Sequence, residues 1–500
     1  MTILRKIFGL LLIMTGQATY GFAAYYYDFN QRCTQAYEAL TALKIQEGEH
    51  LLAAEKKANP GNLIPYFLDN YDDFLTILLT GDEQQYDRRK AQLEVRLSLL
   101  DKGPGNSPWY RYCKSSVDFQ WAVLHIYFNS YLSAAAQFRN SFLLLKQNQK
   151  LFPAFKYNYI LAGLEEAMVG TIPGNYQWIG RLFGMKGSVR GGTAKLVRFL
   201  NDTSGDDQIL KNDAVFYYCY IKFFLLSDKQ EVWSYLNRHY PYVQGNHLLT
   251  FLKANLAIND NQAALALKIL NQRQRSPSYL AVPLFDYQAG IAALRLMDSQ
   301  APVYLKNFLE NNKGKLFIKS ACQKLSYYYL ISGNEDMARH YRAAILGQGS
   351  TFTDADKKAQ RYAESEVPLS RLNKNLIAAG LYCDGGNYSA AINILKALKP
   401  SSLANDDERT AYFYRYGRVY QLLGNTKGCI PFYKEAIAIG KDLPGQFAAR
   451  SALELGHINE ILNSNNKATY YYQLCLGMKN KDFKANLDQK AKAGLNRLKG

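Results

Sequence analysis

The chain of 500 residues has no cysteine pair at metal-binding or redox spacing. Its seven cysteines, Cys33, Cys113, Cys219, Cys322, Cys383, Cys429 and Cys475, are odd in number and far apart, which excludes a Cys-x-x-Cys zinc or redox site and predicts no disulfide framework. Each has apolar neighbours, the setting of a small buried core residue. Histidine is scarce as well. The six (His50, His125, His239, His247, His340, His457) never stand four apart around a glutamate, as a zinc hydrolase requires, and His125 lies in an aromatic run expected to be core. No Gly-x-Ser-x-Gly nucleophile elbow occurs. The stretch Gly187-Ser-Val-Arg-Gly-Gly192-Thr193 has the glycines of a phosphate loop but lacks its lysine and a preceding strand, so it reads as a flexible turn between helices. Glu165 and Glu166 are adjacent, hence on different sides of a helix, and do not face one substrate together. These absences predict a chain that is not an enzyme and takes no cofactor and no metal.

Long apolar runs are missing too. The longest near the start, Ile7 to Met14, is shorter than the roughly 20 residues a membrane span needs. It follows Arg5-Lys6 and precedes small residues at Gly16, Ala18, Gly21 and Ala23, the charge, apolar core and small-residue order of a secretory signal over residues 1–23. A retained N-terminal membrane anchor is the alternative. The expectation is an exported protein, periplasmic or envelope-associated. With Cys33 the first cysteine, no lipid-bearing terminal cysteine is expected.

What is present is ample apolar content, 48%, with 20% charged residues, enough to fold. The 60 basic and 42 acidic side chains give +18, spread along the chain with modest excess at Lys186–Arg198 and Lys479–Lys499. In an exported chain that charge suits an acidic partner or an anionic membrane or envelope surface, and no nucleic acid. The 39 tyrosines are expected mostly in helix packing, the remainder lining a groove.

A helical repeat runs through the C-terminal half. In Ala411 to Ile437, Gly417, Tyr420, Gly424, Cys429 and Ala436 fall at helical spacing around a turn. Tyr382, Gly386, Tyr388 and Ala391 repeat the order, as do Leu325, Tyr329, Gly333 and Ala338, and then Leu455, Gly456, Ala468 and Tyr472 with Asn463 in the turn. Weaker units span 251–270 and 287–309. This grammar resembles the tetratricopeptide repeat (TPR) family, which implies an all-α, right-handed solenoid of helical hairpins over 251–500, with the clearest units near 319–346, 372–400, 410–443 and 449–482. Residues 24–250 are helical by pattern but break the period. Helices are expected over Ala36–Lys57, Leu63–Leu79, 84–100, 115–147 and 155–169, separated by Asn59-Pro60-Gly61, Gly103-Pro104-Gly105 and Thr171-Ile-Pro-Gly174. The passage from Pro173 through Trp178, Phe183 and Gly192 resembles a divergent eukaryotic TPR family linked to outer-membrane proteins and inclusion-body clearance, a likeness of residues 155–200 that bears on ancestry.

In the TPR family the first helix of each unit lines the concave face. Carried over by matching positions, the resemblance implies a groove of Gln323, Tyr327, Tyr414, Arg418, Gln421, Arg450, His457 and Glu460, with Arg418 and Arg450 holding a carboxylate. An ordinary solvated helix face is the other reading of the same residues. Asn373, Leu376, Gly380 and Cys383 do not make the clamp that TPR proteins use for chaperone tails. The function expected is a scaffold binding a protein or peptide partner on its concave face; the alternative is a glycan- or envelope-polymer-binding module. Mass spectrometry of the purified native protein is expected to find the mature N-terminus close after Ala23; an intact Met1 would remove the export reading.

Overall fold

The computed structural model describes residues 24–170, 187–202, 209–365, 367–369 and 373–498. The expected secretory signal over residues 1–23 and the greater part of the Pro173–Gly192 passage lie outside the described residues. Those described are helical throughout, with an isolated bridge between Tyr26 and Asn62 and no strand among them. The expected all-α array of helical hairpins is the observed architecture, and no helix among the described residues is long and apolar enough to cross a membrane.

The hairpins are made by one backbone device. A single residue in the left-handed region ends the first helix, and the next residue's N–H bonds the carbonyl five positions back, the hydrogen bond of a Schellman cap. It recurs at Asn261, Met297, Gly333, Gly386, Gly424 and Asn463, where Gln262, Asp298, Asn334, Asn387, Asn425 and Ser464 donate to Ala257, Ala293, Tyr329, Tyr382, Tyr420 and Asn459 at 2.8 or 2.9 Å. In three of these turns a Gly-Asn pair does both jobs. Glycine takes the positive φ, and the Asn334, Asn387 or Asn425 side chain then accepts a backbone N–H to cap the second helix. The helices so paired are His247–Asn259 with Ala263–Asn271, Leu284–Arg295 with Ala301–Asn311, Ile318–Ile331 with Glu335–Gly347, Lys374–Gly385 with Tyr388–Ala397, Asp406–Leu422 with Thr426–Gly440, and Phe447–Ile461 with Asn465–Gly477.

Within a hairpin the first helix must lie close to the second. In the last two units the same contact does this: Gly417 meets the Tyr433 ring and Gly456 the Tyr472 ring, where a β-carbon would sit 2.9 and 2.5 Å from ring atoms. Each tyrosine is fully buried, and its hydroxyl donates at 2.5 Å to the side chain twelve residues earlier, Gln421 and Glu460. The turns are 36 to 39 residues apart except between Gly333 and Gly386, where the gap of 53 admits an extra helix, Asp354–Glu364. That helix is tied in by Asp356, whose carboxylate accepts from the Phe317 and Ser320 backbone N–H groups at 2.7 and 2.9 Å.

The N-terminal half uses the same turns without the period. The expected helix over Ala36–Lys57 is broken into Gln31–Thr41 and Ile45–Ala58 by Leu43 at φ 62°, and the one over 115–147 into Pro108–Tyr127 and Tyr131–Leu151 by Asn129 at φ 61°. Its core holds Trp121, Tyr37, Tyr112 and Phe67, fully or almost fully buried. Trp121 Nε1 donates to Asn70 at 2.7 Å, and the Tyr71 hydroxyl donates to Asp213, whose carboxyl burial pushes up to about 7. His125 is buried with Nδ1 2.7 Å from the Tyr86 hydroxyl. All seven cysteines are free and buried. Gly187 to Thr193 does not form a flexible turn: Ser188 caps the helix Val189–Leu200, and Gly192 allows that helix to touch the backbone of Gly163.

The C-terminal helix closes the array against the later part of the N-terminal half. The last helix, Lys484–Leu498, packs on the final hairpin and reaches back to the N-terminal half, where Asn496 donates to Gly170 O at 2.7 Å and Arg497 to Leu225 O at 2.6 Å. Its Ala493 belongs to the N-terminal core. The array is thereby closed around a central space. Gly417→Val inserts branched carbons against the Tyr433 ring and is expected to lower stability by about 1–3 kcal/mol in urea unfolding; an unchanged midpoint would show that this close approach is not required.

Candidate binding cavity

The first helices of the hairpins turn their inner faces to a cavity of about 1110 Å³. The inserted helix and the C-terminal helix complete its wall through Lys358 and Lys490. Counted over the lining, eight side chains are basic (Lys229, Arg295, Lys324, Lys358, Arg415, Arg418, Arg450, Lys490) and five acidic (Asp260, Asp384, Asp407, Glu408, Glu454), a surplus of three positive charges.

Of the residues expected on the concave face, Gln323, Tyr327, Tyr414, Arg418, Gln421, Arg450 and His457 line this cavity. Glu460 does not. Its carboxylate takes the Arg497 guanidinium at 2.7 Å and the Tyr472 hydroxyl at 2.5 Å, so it anchors the closing helix. Arg418 lines the wall but is already engaged: it lies 3.2 Å from Glu454 and donates to Gln421 Oε1 at 3.0 Å. Gln421 Nε2 completes the set by donating to Glu454 at 3.0 Å. Burial opposes the charge on Glu454, but Arg418 and hydrogen bonds from His457 and Gln421 outweigh it and hold the carboxyl well below the usual range. Arg418 thus holds a carboxylate of its own chain rather than offering itself to a ligand. Tyr414 is buried against Phe447, ring centroids 5.1 Å apart, and presents no free face. Gln323 donates to the Tyr327 hydroxyl at 3.3 Å.

Of the cations free of carboxylate partners, Arg450 was expected on this face, whereas Lys324, Lys358, Arg415 and Lys490 were not. Arg415 lies over Gly380, where any β-carbon would collide with its guanidinium, and its Nε is buried without a hydrogen-bond partner. Its Cζ and the Lys358 Nζ lie 5.2 and 5.9 Å from the centre of the Phe447 ring. Arg450 spends one donor on Gln446 Oε1 at 2.5 Å, and its Cζ stands 5.1 Å from the Phe483 ring centre. Lys490 stands 5.9 Å from that of Phe224. Burial lowers Lys324 to about 7, helped by Lys358 and Arg295, and lowers Lys358 and Lys490 to about 8. The one legible signal for these residues was a glycine, Gly380, facing a helix that carries arginine at 415. Lys358 comes from the helix that interrupts the repeat, and Lys490 from a tail that folds back, so periodicity pointed to neither. Among the described residues no group of His, Cys, Asp or Glu is arranged to hold a metal ion.

No protein-family model matches the chain, and no curated protein matches it. Among solved structures it is similar to one described as the crystal structure of the APC/C hetero-tetramer Cut9-Hcn1, at 14% identity over 92% of this chain and 95% of that one, with a TM-score of 0.27. That is a resemblance between helical arrays and no more. The class of protein is set by the chain's own geometry, a TPR-like solenoid of helical hairpins.

Arg418 and Glu454 pair while only 19% and 16% exposed, so Arg418→Met leaves a largely shielded carboxylate without its cation. It is expected to cost about 1–3 kcal/mol in urea unfolding, most of it regained in the double variant Arg418→Met/Glu454→Leu. Equal stability of wild type and single variant would show the pair to be solvated.

Proposed function

We propose that this chain is an exported, non-catalytic scaffold that receives a partner protein at the mouth of its central cavity, with acidic residues of the partner facing the positive lining. The observation that carries the reading is the cavity itself: successive first helices present their inner faces to one space with three surplus positive charges. Its rim supplies apolar anchors at the hairpin tips. Ile461, which lines the cavity, is 76% exposed, and its neighbour Leu462 is 54% exposed. Large side chains left in water beside a charged cleft are the usual makings of an interface centre with a polar surround. Export rests on the leader pattern of residues 1–23, and a basic exterior suits the anionic surface of a cell envelope.

The double variant Ile461→Asp/Leu462→Asp leaves the buried helix contacts intact and is expected to keep its melting temperature. In quantitative mass spectrometry of material co-isolated from an envelope extract, a partner enriched by the wild type is expected to drop at least tenfold with this variant. Recovery equal to wild type, or no protein above the mock control, would refute the scaffold reading.

A further inference from the structure

Inside the cavity, five cations from five separate helices converge without carboxylate partners. Lys324 comes from the helix Ile318–Ile331, Lys358 from the inserted helix, Arg415 and Arg450 from the first helices of the last two hairpins, and Lys490 from the closing helix. Other charges of the lining are already satisfied. Glu454 is held by Arg418, Asp260 by Lys229 at 2.8 Å, and Glu408 accepts from the backbone N–H groups of Asn373 and Ala404 at 3.3 and 3.0 Å. Asp384 and Asp407 remain, two carboxylates against these five cations, and a sixth, Arg295, likewise lacks a carboxylate and donates to the backbone carbonyls of Ile258 and Asp384 at 2.5 and 3.3 Å. Like charges brought together out of water repel, and a desolvated guanidinium nitrogen with no acceptor costs free energy. Closing the array therefore concentrates a charge that the chain does not neutralise.

We infer that the interior of the cavity is a receptor for a compact phosphate-type polyanion, bound by Lys358, Arg415, Arg450 and Lys490 beside the Phe447 ring, with Lys324 at its edge. Such a ligand carries several charges in a small volume, which matches cations gathered from separate elements. Its oxygens suit the guanidinium of Arg415, which lines the cavity and whose Nε has no acceptor within the chain. By bridging the inserted helix, the last hairpins and the closing helix, the anion holds the array shut. The inference shares the positive lining with the scaffold reading but does not need a partner protein at the rim.

A linkage with pH follows. Lys324 faces Arg295, Lys358, Asp356 and Asp384; Lys358 faces Arg415, Arg450, Asp384 and Asp482; Lys490 faces Arg450, Arg418, Lys229 and Glu454. With these amines lowered to about 7 or 8 in the empty cavity, an arriving polyanion favours their charged forms and draws protons in. Affinity is therefore strongest below pH 7 and weakens as the pH rises through 8.

The test is calorimetric titration of the full chain with inorganic tripolyphosphate, in buffers of differing ionisation enthalpy at pH 6.5 and 9. One site per chain is expected, with net proton uptake, affinity on the order of tenfold weaker at pH 9, and a raised melting temperature. Lys358→Met/Lys490→Met keeps the aliphatic stems and removes unpaired charge. It is expected to melt no lower than wild type without ligand and to lose at least tenfold in affinity, while Lys396→Met on the outer surface changes neither. Two further arms use hexaglutamate, and phosphatidylcholine vesicles with and without phosphatidylglycerol. Binding of tripolyphosphate alone marks a free phosphate compound as the source; added binding to the anionic vesicles that the double variant loses marks a lipid headgroup. No heat, several weak sites shared by all variants, or unchanged affinity in the double variant would overturn the inference. Binding of hexaglutamate in place of tripolyphosphate would also overturn it, while leaving the scaffold reading standing. Tripolyphosphate binding without any loss of partner in the Ile461→Asp/Leu462→Asp variant would do the reverse.

Discussion

A helical hairpin buries its apolar stripe only if the chain reverses within one or two residues, and an α-helix cannot do that while every residue stays right-handed. The left-handed residue at each turn resolves this, since its N–H and that of the next residue satisfy carbonyls that the helix end leaves open. Glycine takes this conformation without steric cost at 333, 386 and 424. Asn463 does so at small cost, while Leu43 and Met297 do so against their own preference and are held there by the packing around them. Everything else in the array presupposes these reversals: which helix faces inward, where the tyrosine behind Gly417 or Gly456 sits, and which side chains share the cavity.

The second constraint is closure. A solenoid with free ends can leave its concave face open to water, where cations cost little. Here the C-terminal helix is pinned through Arg497 to Glu460 and to the Leu225 carbonyl, and the inserted helix is pinned through Asp356. Both carry lysines into the space they enclose. Arg418 is stabilised there by Glu454, whereas Lys358, Arg415 and Lys490 have no such partner, and lysines in that position lose proton affinity. The chemistry of the interior is thus a product of closure rather than of any one repeat.

Much of this was legible residue by residue. Gly417 and Gly456 in register with Tyr433 and Tyr472, and the Gly-Asn turns, announce hairpins because the steric demand is local. Cavity positions such as Tyr414, Arg418 and Arg450 follow from helical spacing once the hairpin is granted. Spacing gives direction and not partnership, however: Arg418 points inward and meets Glu454, and Glu460 belongs to the anchoring of another helix. The break at Leu43 was hidden because leucine does not signal a turn, whereas Asn129 followed by Ser130 does carry the residue types of a helix end.

The amino-acid order by itself determined an all-helical chain, its hairpin period in the C-terminal half, the burial of its cysteines and the lack of a recognisable catalytic motif, since these depend on contacts within a turn or two of helix. Only the tertiary structure decided which charges are paired and which are left facing one another, because Lys324, Lys358, Arg415 and Lys490 are brought together by closure across as many as 166 residues of chain, from Lys324 to Lys490. Charge interactions reach through space and periodicity does not, so the positive cavity is a property of the closed array alone.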